Sequence, residues 1–349
     1  MKNQVSSYSS ERMMPKEKSG LDKNLPWHHD ETLEEIKHKN SVSEINNSIH
    51  TFRAEFSDGM KLGINYCEPR NPITETSVVI TPALSTGLHG RNANIQRKLA
   101  QLGLPSVLVG TPGGERDSFK DEIKELIKNP INTINHLGSI SLSKNAHYVQ
   151  EVIKHNDKFD LNNKKVIGYG ESRGAMILLG NIAAQQEDDI EIPYSIAVAP
   201  CYPKAFQTHE SLEFTGHVIS EIINLRQLMG SLSINNLNTL NISPKSLIYE
   251  IAHIPTLFKG DTGNFIPEIP KDQNLDIISF NDDLSGQPEY WRSVFPKSEY
   301  PNINSETHPG NHLSIAKNKT LDIVLSKFSC IAEKIINNDE NYAPFENAI

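Results

Sequence analysis

The residues best placed to do chemistry in this chain lie in Gly170-Glu-Ser-Arg-Gly174. A serine hydroxyl is a weak nucleophile, useful only when presented to substrate beside a base. Ser172 follows the apolar run Lys165-Val-Ile-Gly-Tyr169. It precedes Arg173 to Gln186, where apolar residues recur at helical spacing. The pattern reads as strand, tight turn and helix, with Ser172 at the bend. Such a turn lifts the side chain above the sheet and brings backbone so close that small residues are needed two places before and two after. Gly170 and Gly174 fill those places. The helix N-terminus aims free N–H groups at the same point, so the Arg173 backbone N–H is placed to hold a developing oxyanion. The rival readings are a Gly-rich turn without catalysis and a phosphate loop. The second lacks the lysine and the spacing of a P-loop.

The elements that must position Ser172 alternate along the chain. Thr51-Phe-Arg-Ala-Glu-Phe56 and Met60-Lys-Leu-Gly-Ile-Asn-Tyr66 alternate with period two around Ser57-Asp-Gly59, which reads as a β-hairpin. Ser77-Val-Val-Ile-Thr81, Ser106-Val-Leu-Val109, Lys165 to Tyr169 and Tyr194-Ser-Ile-Ala-Val-Ala199 are short apolar runs of the buried-strand type. Between them, helices are expected over about 90–102, 119–128, 141–155 and 173–186. The strand rhythm lapses over 203–253, which reads as a helical insert above the strand ends. It resumes at Pro255-Thr-Leu-Phe-Lys259 and Leu275-Asp-Ile-Ile-Ser-Phe280, and a last amphipathic helix covers about 313–336. The expected architecture is α/β: a mostly parallel, doubly wound sheet (51–202 and 254–349) with a helical cap insert (203–253).

With its turn at Ser172, its opening hairpin at Asp58-Gly59 and the run Leu99-Ala-Gln-Leu-Gly103 through Pro112-Gly-Gly114, the chain resembles the α/β-hydrolase fold superfamily over roughly 51–336. That resemblance implies a serine hydrolase cleaving an ester or related acyl bond, with nucleophile, acid and base in that order along the chain. It implies a histidine in a loop before the last helix. His308-Pro-Gly-Asn-His312 occupies the place, with His312 preferred and His308 a loop or second contact. It implies an acid after the strand ending at Gly260. The usual place there holds Gly263, so Asp261 is the first choice, with Asp283 and Glu306 in reserve. It implies a second oxyanion donor after Thr81. Pro82 has no N–H to give, so Leu84 is chosen by spacing and Ala83 comes next. His89 reads as a surface residue.

Bulk properties narrow the partners. A net charge of -9 and scattered Lys and Arg argue against nucleic acid. No apolar run reaches the roughly 18 residues of a membrane span. Cys67, Cys201 and Cys330 are few, odd in number and far apart, which fits a reducing compartment and a cytoplasmic protein. Residues 1–50 are polar and read as a mobile arm, with a short helix near Thr32 to Lys39. The His28-His29 pair within it reads as solvated rather than metal-binding. A small-molecule acyl substrate is the expected partner, and no metal or organic cofactor is implied. Phe206, Phe214 and Met229 in the cap would suit an apolar acyl group, although such residues more often pack. Acyl transfer, thioester or peptide cleavage on the same fold, and a non-catalytic binding role favoured by the missing acid, are the competing readings.

Overall fold

Eight short strands pair into one sheet in the computed structural model, which describes residues 32–41, 49–56, 58–83, 88, 91–110, 127–131, 142–154, 165–185, 190–201, 266–283 and 286–337. They are β1 (Ile49–Glu55), β2 (Lys61–Cys67), β3 (Ser77–Thr81), β4 (Ser106–Val109), β5 (Lys165–Glu171), β6 (Glu191–Val198), β7 (Asn274–Phe280) and β8 (Ile303–His308). Their spatial order is β1-β2-β4-β3-β5-β6-β7-β8. β2 runs antiparallel to β1 and β4, and every other pair is parallel.

Among the described residues the two faces are covered by helices α1 (Leu33–Ser41), α2 (Arg91–Gln101), α3 (Leu142–Lys154), α4 (Arg173–Ala184), α5 (Pro288–Val294) and α6 (Asn318–Ile336). Successive strand residues point to opposite faces, so a central strand buried on both sides must be apolar without alternation. Val79, Val107, Ala197 and Ile277 pack with Val149 and Val152 of α3, Leu178 and Ile182 of α4 and Trp291 of α5. Their sequence neighbours Val78, Ile80, Leu108, Ile196 and Ile278 pack on the other side with Ile36, Ile95, Leu99, Val324 and Phe328. Each Val, Leu, Ile or Phe among them, fully buried, contributes roughly 1.5–3 kcal/mol. The helices expected around 90–102, 141–155 and 173–186 are α2, α3 and α4. The one over 119–128 and the cap over 203–253 fall largely or wholly outside the described residues. No helix among the described residues is long and apolar enough to cross a membrane.

Two strand expectations change. β6 hydrogen-bonds directly to β7, from Tyr194 opposite Asn274 to Val198 opposite Ile278, so no strand lies between them. The run 255–259, expected as the next strand of the sheet, lies outside the described residues, and 274–280 is β6's neighbour. The edge strand β8 was not expected at all. Only Ile303 is apolar in Ile303-Asn-Ser-Glu-Thr-His308, because one face of β8 meets polar groups.

The short helix expected near Thr32 to Lys39 is α1, but it packs on the body where a mobile arm was expected. Thr32 and Glu35 form a reciprocal cap: the Thr32 amide donates to Glu35 Oε2 at 2.7 Å, and the Glu35 amide donates to Thr32 Oγ1 at 3.3 Å. Leu33 and Ile36 are buried in the same core as α2 and α6. Beyond them the Asn71 amide donates to Asn40 Oδ1 at 2.9 Å. This part of the arm is docked.

Candidate active site

The turn at Ser172 shows why its glycines are needed. Ser172 has φ 54° and ψ -119°, a conformation that costs a non-glycine residue about 1–3 kcal/mol. A Cβ on Gly170 would lie 2.5 Å from the Gly174 carbonyl oxygen. One on Gly174 would lie 2.1 Å from the Thr81 carbonyl oxygen and 2.5 Å from that of Pro82. Those are backbone atoms that cannot move aside. The Ser172 amide donates to the Val198 carbonyl at 2.7 Å, which ties the turn to the end of β6. The Thr81 hydroxyl reaches the Gly174 carbonyl at 2.7 Å, which ties it to the end of β3.

Three loops at the C-terminal end of the sheet meet here. Ser172 follows β5, Asp283 follows β7, and His312 opens a short 3-10 turn (His312–Ala316) after β8. His312 Nε2 lies 2.7 Å from Ser172 Oγ, and its Nδ1 lies 2.8 Å from Asp283 Oδ2. The Asp283 carboxylate is fully buried, and its second oxygen accepts the Gly286 amide at 3.1 Å. The loops that carry His312 and Asp283 are laced together: the Asn281 amide donates to the His308 carbonyl at 3.1 Å and the Asp282 amide to the Gly310 carbonyl at 2.9 Å. Gly310 has φ 134°, and a Cβ there would strike Ser314 Oγ at 2.2 Å. Cys201, just past β6, places its Sγ 3.8 Å from Ser172 Oγ.

Of the residues expected to form a site, Ser172, Arg173 and His312 come together. Arg173 is the first residue of α4, directly after the nucleophile turn. Leu84 and Asp261 lie outside the described residues. The carboxylate on His312 Nδ1 is Asp283, a reserve rather than the first choice. The other reserve, Glu306, meets Lys327 at 2.6 Å and His308 at 3.3 Å instead. Burial pushes the Glu306 carboxyl up, but the Lys327 ammonium outweighs it and holds the carboxyl below its usual value. His308 thus partners Glu306 rather than the serine. Asp283 stands three residues past the end of β7. That spacing was available in the sequence once 274–280, rather than 255–259, was taken as the strand next to β6.

Sequence reasoning also passed over a buried group beside the nucleophile. Glu171 is almost fully buried and accepts from Arg91 Nη2 at 2.7 Å and from the Tyr169 hydroxyl. Burial pushes the Tyr169 phenol well above its usual value, and the Glu171 charge adds to the rise. Burial alone would lower the Arg91 guanidinium, but Glu171 outweighs it and raises it.

The strand order, the single antiparallel strand β2 and a serine, histidine and carboxylate on the loops after β5, β8 and β7 can be set beside known structures. A carboxylesterase of the thaumarchaeon Nitrososphaera gargenis superposes with a TM-score of 0.55 at 13% identity, covering 83% of this chain and 100% of that one. The chain has the α/β-hydrolase fold. Est1E from Butyrivibrio proteoclasticus superposes with a TM-score of 0.50 at 16% identity, over 83% of this chain and 100% of that one. No protein-family model matches the sequence, and no curated protein matches it. Within the α/β-hydrolase fold, then, the likeness is one of backbone architecture.

Proposed function

We propose that this α/β-hydrolase-fold protein is a serine hydrolase that cleaves an ester or related acyl bond with Ser172, His312 and Asp283. The observation that carries the reading is the unbroken chain of contacts from Ser172 Oγ to Nε2 and from Nδ1 to Asp283, at 2.7 and 2.8 Å. Ser172 Oγ attacks the acyl carbonyl while His312 Nε2 takes its proton. Asp283 accepts the Nδ1–H bond, holds the productive tautomer and stabilises the imidazolium. The Arg173 backbone N–H supports the oxyanion, with a second backbone N–H from the stretch after β3, for which Leu84 is the choice and Ala83 the next. His312 returns its proton to the leaving group. Water, activated by the same imidazole, then releases the acid.

The carboxylesterase neighbour favours a carboxylic ester as substrate, and three cysteines, none of them in a disulfide, fit a reducing compartment. The non-catalytic reading leaned on a missing acid, and Asp283 beside Nδ1 takes that support away. The test is a fluorophosphonate probe followed by mapping of the adduct. Wild type is expected to label on Ser172, and Ser172→Ala is expected not to label. An unlabelled wild type, or equal labelling of the mutant, overturns the proposal.

A further inference from the structure

Glu171 is an expensive residue to keep where it is. A buried carboxylate must be paired, and a buried ion pair rarely gains more stability than apolar residues of the same volume. Its neighbour two places back on the same face of β5, Tyr169, sits in an apolar core with Phe328. Yet Glu171 is 1% exposed and Arg91, at 17%, folds over it with Nη2 at 2.7 Å and Nε at 3.3 and 3.4 Å from its two oxygens. The Tyr169 hydroxyl donates to the same oxygen that Nη2 meets.

The position of this cluster suggests its use. Glu171 is peptide-bonded to Ser172. Arg91 is the first residue of α2, at the far end of the stretch that leaves β3 at Thr81. That stretch is fastened at its start to Gly174, two residues after the serine, where the Thr81 hydroxyl reaches the Gly174 carbonyl. It is fastened at its end to Glu171, one residue before the serine. Midway, the Leu88 carbonyl accepts the Asn65 side-chain amide. The contacts therefore bracket the nucleophile on both sides. The arginine also neutralises a carboxylate that would otherwise oppose negative charge growing at the neighbouring residue.

We propose that Arg91 is a positioning residue that acts through Glu171: by neutralising the buried carboxylate next to Ser172 it keeps the surroundings of the developing oxyanion neutral. This rests on the serine-hydrolase reading. The test compares wild type with Arg91→Met, Arg91→Lys, Glu171→Gln and the Arg91→Met/Glu171→Gln double variant. It measures the second-order rate of fluorophosphonate labelling of Ser172, kcat and KM on p-nitrophenyl acetate, and Tm.

Arg91→Met strands a buried negative charge and is expected to lower kcat and the labelling rate roughly tenfold to a hundredfold, with KM within about twofold. Glu171→Gln keeps an acceptor for Arg91 and is expected to cost less than about fivefold. Arg91→Lys keeps the charge and is expected to retain most of the rate. The double variant removes the stranded charge and is expected to recover most of what Arg91→Met loses. Equal losses in Arg91→Met and Glu171→Gln, or a double variant no better than Arg91→Met, overturn the inference in favour of plain packing. So does Arg91→Met at wild-type rate. Should Arg91→Met not fold, the ranking of Arg91→Lys and Glu171→Gln against wild type decides: a Glu171→Gln loss above tenfold overturns the inference. A wild type that does not label overturns the hydrolase reading itself, whereas a wild type that labels beside unaffected variants overturns this inference alone.

Discussion

Asp283→Asn is the sharpest perturbation, because the two oxygens of Asp283 face different partners. Oδ2 lies 2.8 Å from His312 Nδ1, and Oδ1 accepts the Gly286 amide at 3.1 Å. An asparagine can serve one of them with its carbonyl oxygen, not both. If the oxygen stays on Gly286, the amide N–H₂ faces Nδ1, which must then accept; the imidazole proton moves to Nε2 and the base is blocked. If the amide flips, the productive tautomer survives but two buried donors meet at Gly286, at about 1–3 kcal/mol. In either orientation the imidazolium loses its counter-charge. Two unit charges about 4 Å apart interact by about 4 kcal/mol at an effective dielectric of 20. Together these come to about 5 kcal/mol, close to a 10⁴-fold loss of kcat. The assay is kcat on p-nitrophenyl acetate and the labelling rate of Ser172, with Tm as the check on folding. Asp261→Asn in parallel is expected to stay within about threefold of wild type, because Asp283 already serves His312 Nδ1. A loss below tenfold for Asp283→Asn, or a large loss for Asp261→Asn, refutes the assignment of the acid.

Two further outcomes follow from packing and charge. Gly174→Ala puts a Cβ 2.1 Å from the Thr81 carbonyl oxygen, so a loss of about 3 kcal/mol or more, or failure to fold, is expected in urea denaturation. Asp58 has a carboxyl lowered from 3.8 to about 2: burial raises it, and the Lys144 ammonium, the Tyr148 hydroxyl and the Met60 amide together outweigh burial. A depressed carboxyl stabilises the fold above its ordinary value and ceases to as pH falls through its folded value. Its share of stability is therefore expected to fade between about pH 4 and 2 and to be absent in Asp58→Asn. Screening at one-third exposure leaves that shift worth about 1 kcal/mol. A pH-stability curve unchanged by Asp58→Asn contradicts this.

The nucleophile turn was legible because its determinants are local. Strand, two glycines, serine and helix lie within about twenty residues; Gly170 meets backbone of its own turn, and only the Gly174 contact with Thr81 and Pro82 comes from a distant part of the chain. His312 was reached through the resemblance, whose Gly-x-His loop before the last helix is matched by Gly310-Asn-His312. The acid was not legible. Both 255–259 and 274–280 are short apolar runs, and which of them neighbours β6 is decided by hydrogen bonds between Tyr194–Val198 and Asn274–Ile278, some eighty residues apart. The edge strand β8 escaped because its inward residues Asn304 and Glu306 meet polar partners, Asp276 and Lys327, rather than an apolar core. The docking of α1 escaped because only Leu33 and Ile36 carry it, with help from Asn40 and Asn71 across 31 residues of chain.

Sheet geometry explains why the acid should stand after β7. Parallel strands deliver all their following loops to one edge, about 4.8 Å apart per strand. β5 and β8 are separated by β6 and β7, so a base after β8 must reach back across roughly 14 Å to a serine after β5. A carboxylate after β7 lies on that path, next to the base loop, and can hold the imidazole from behind as it spans the gap. The amides of Asn281 and Asp282 grip the carbonyls of His308 and Gly310, so the acid loop sets the base loop's position as well as its tautomer. β6 contributes by turning away. Ala199, with φ 47°, donates its amide to the Ile278 carbonyl and bends the chain just past the Val198 carbonyl that receives Ser172. Trp291 then pins the Pro200 carbonyl at 3.2 Å, and Cys201 comes to rest beside the serine. An acid supplied from any strand inserted between β6 and β7 would push β8 a further strand away and break that reach. The direct pairing of β6 with β7 is therefore part of what allows Ser172 and His312 to meet.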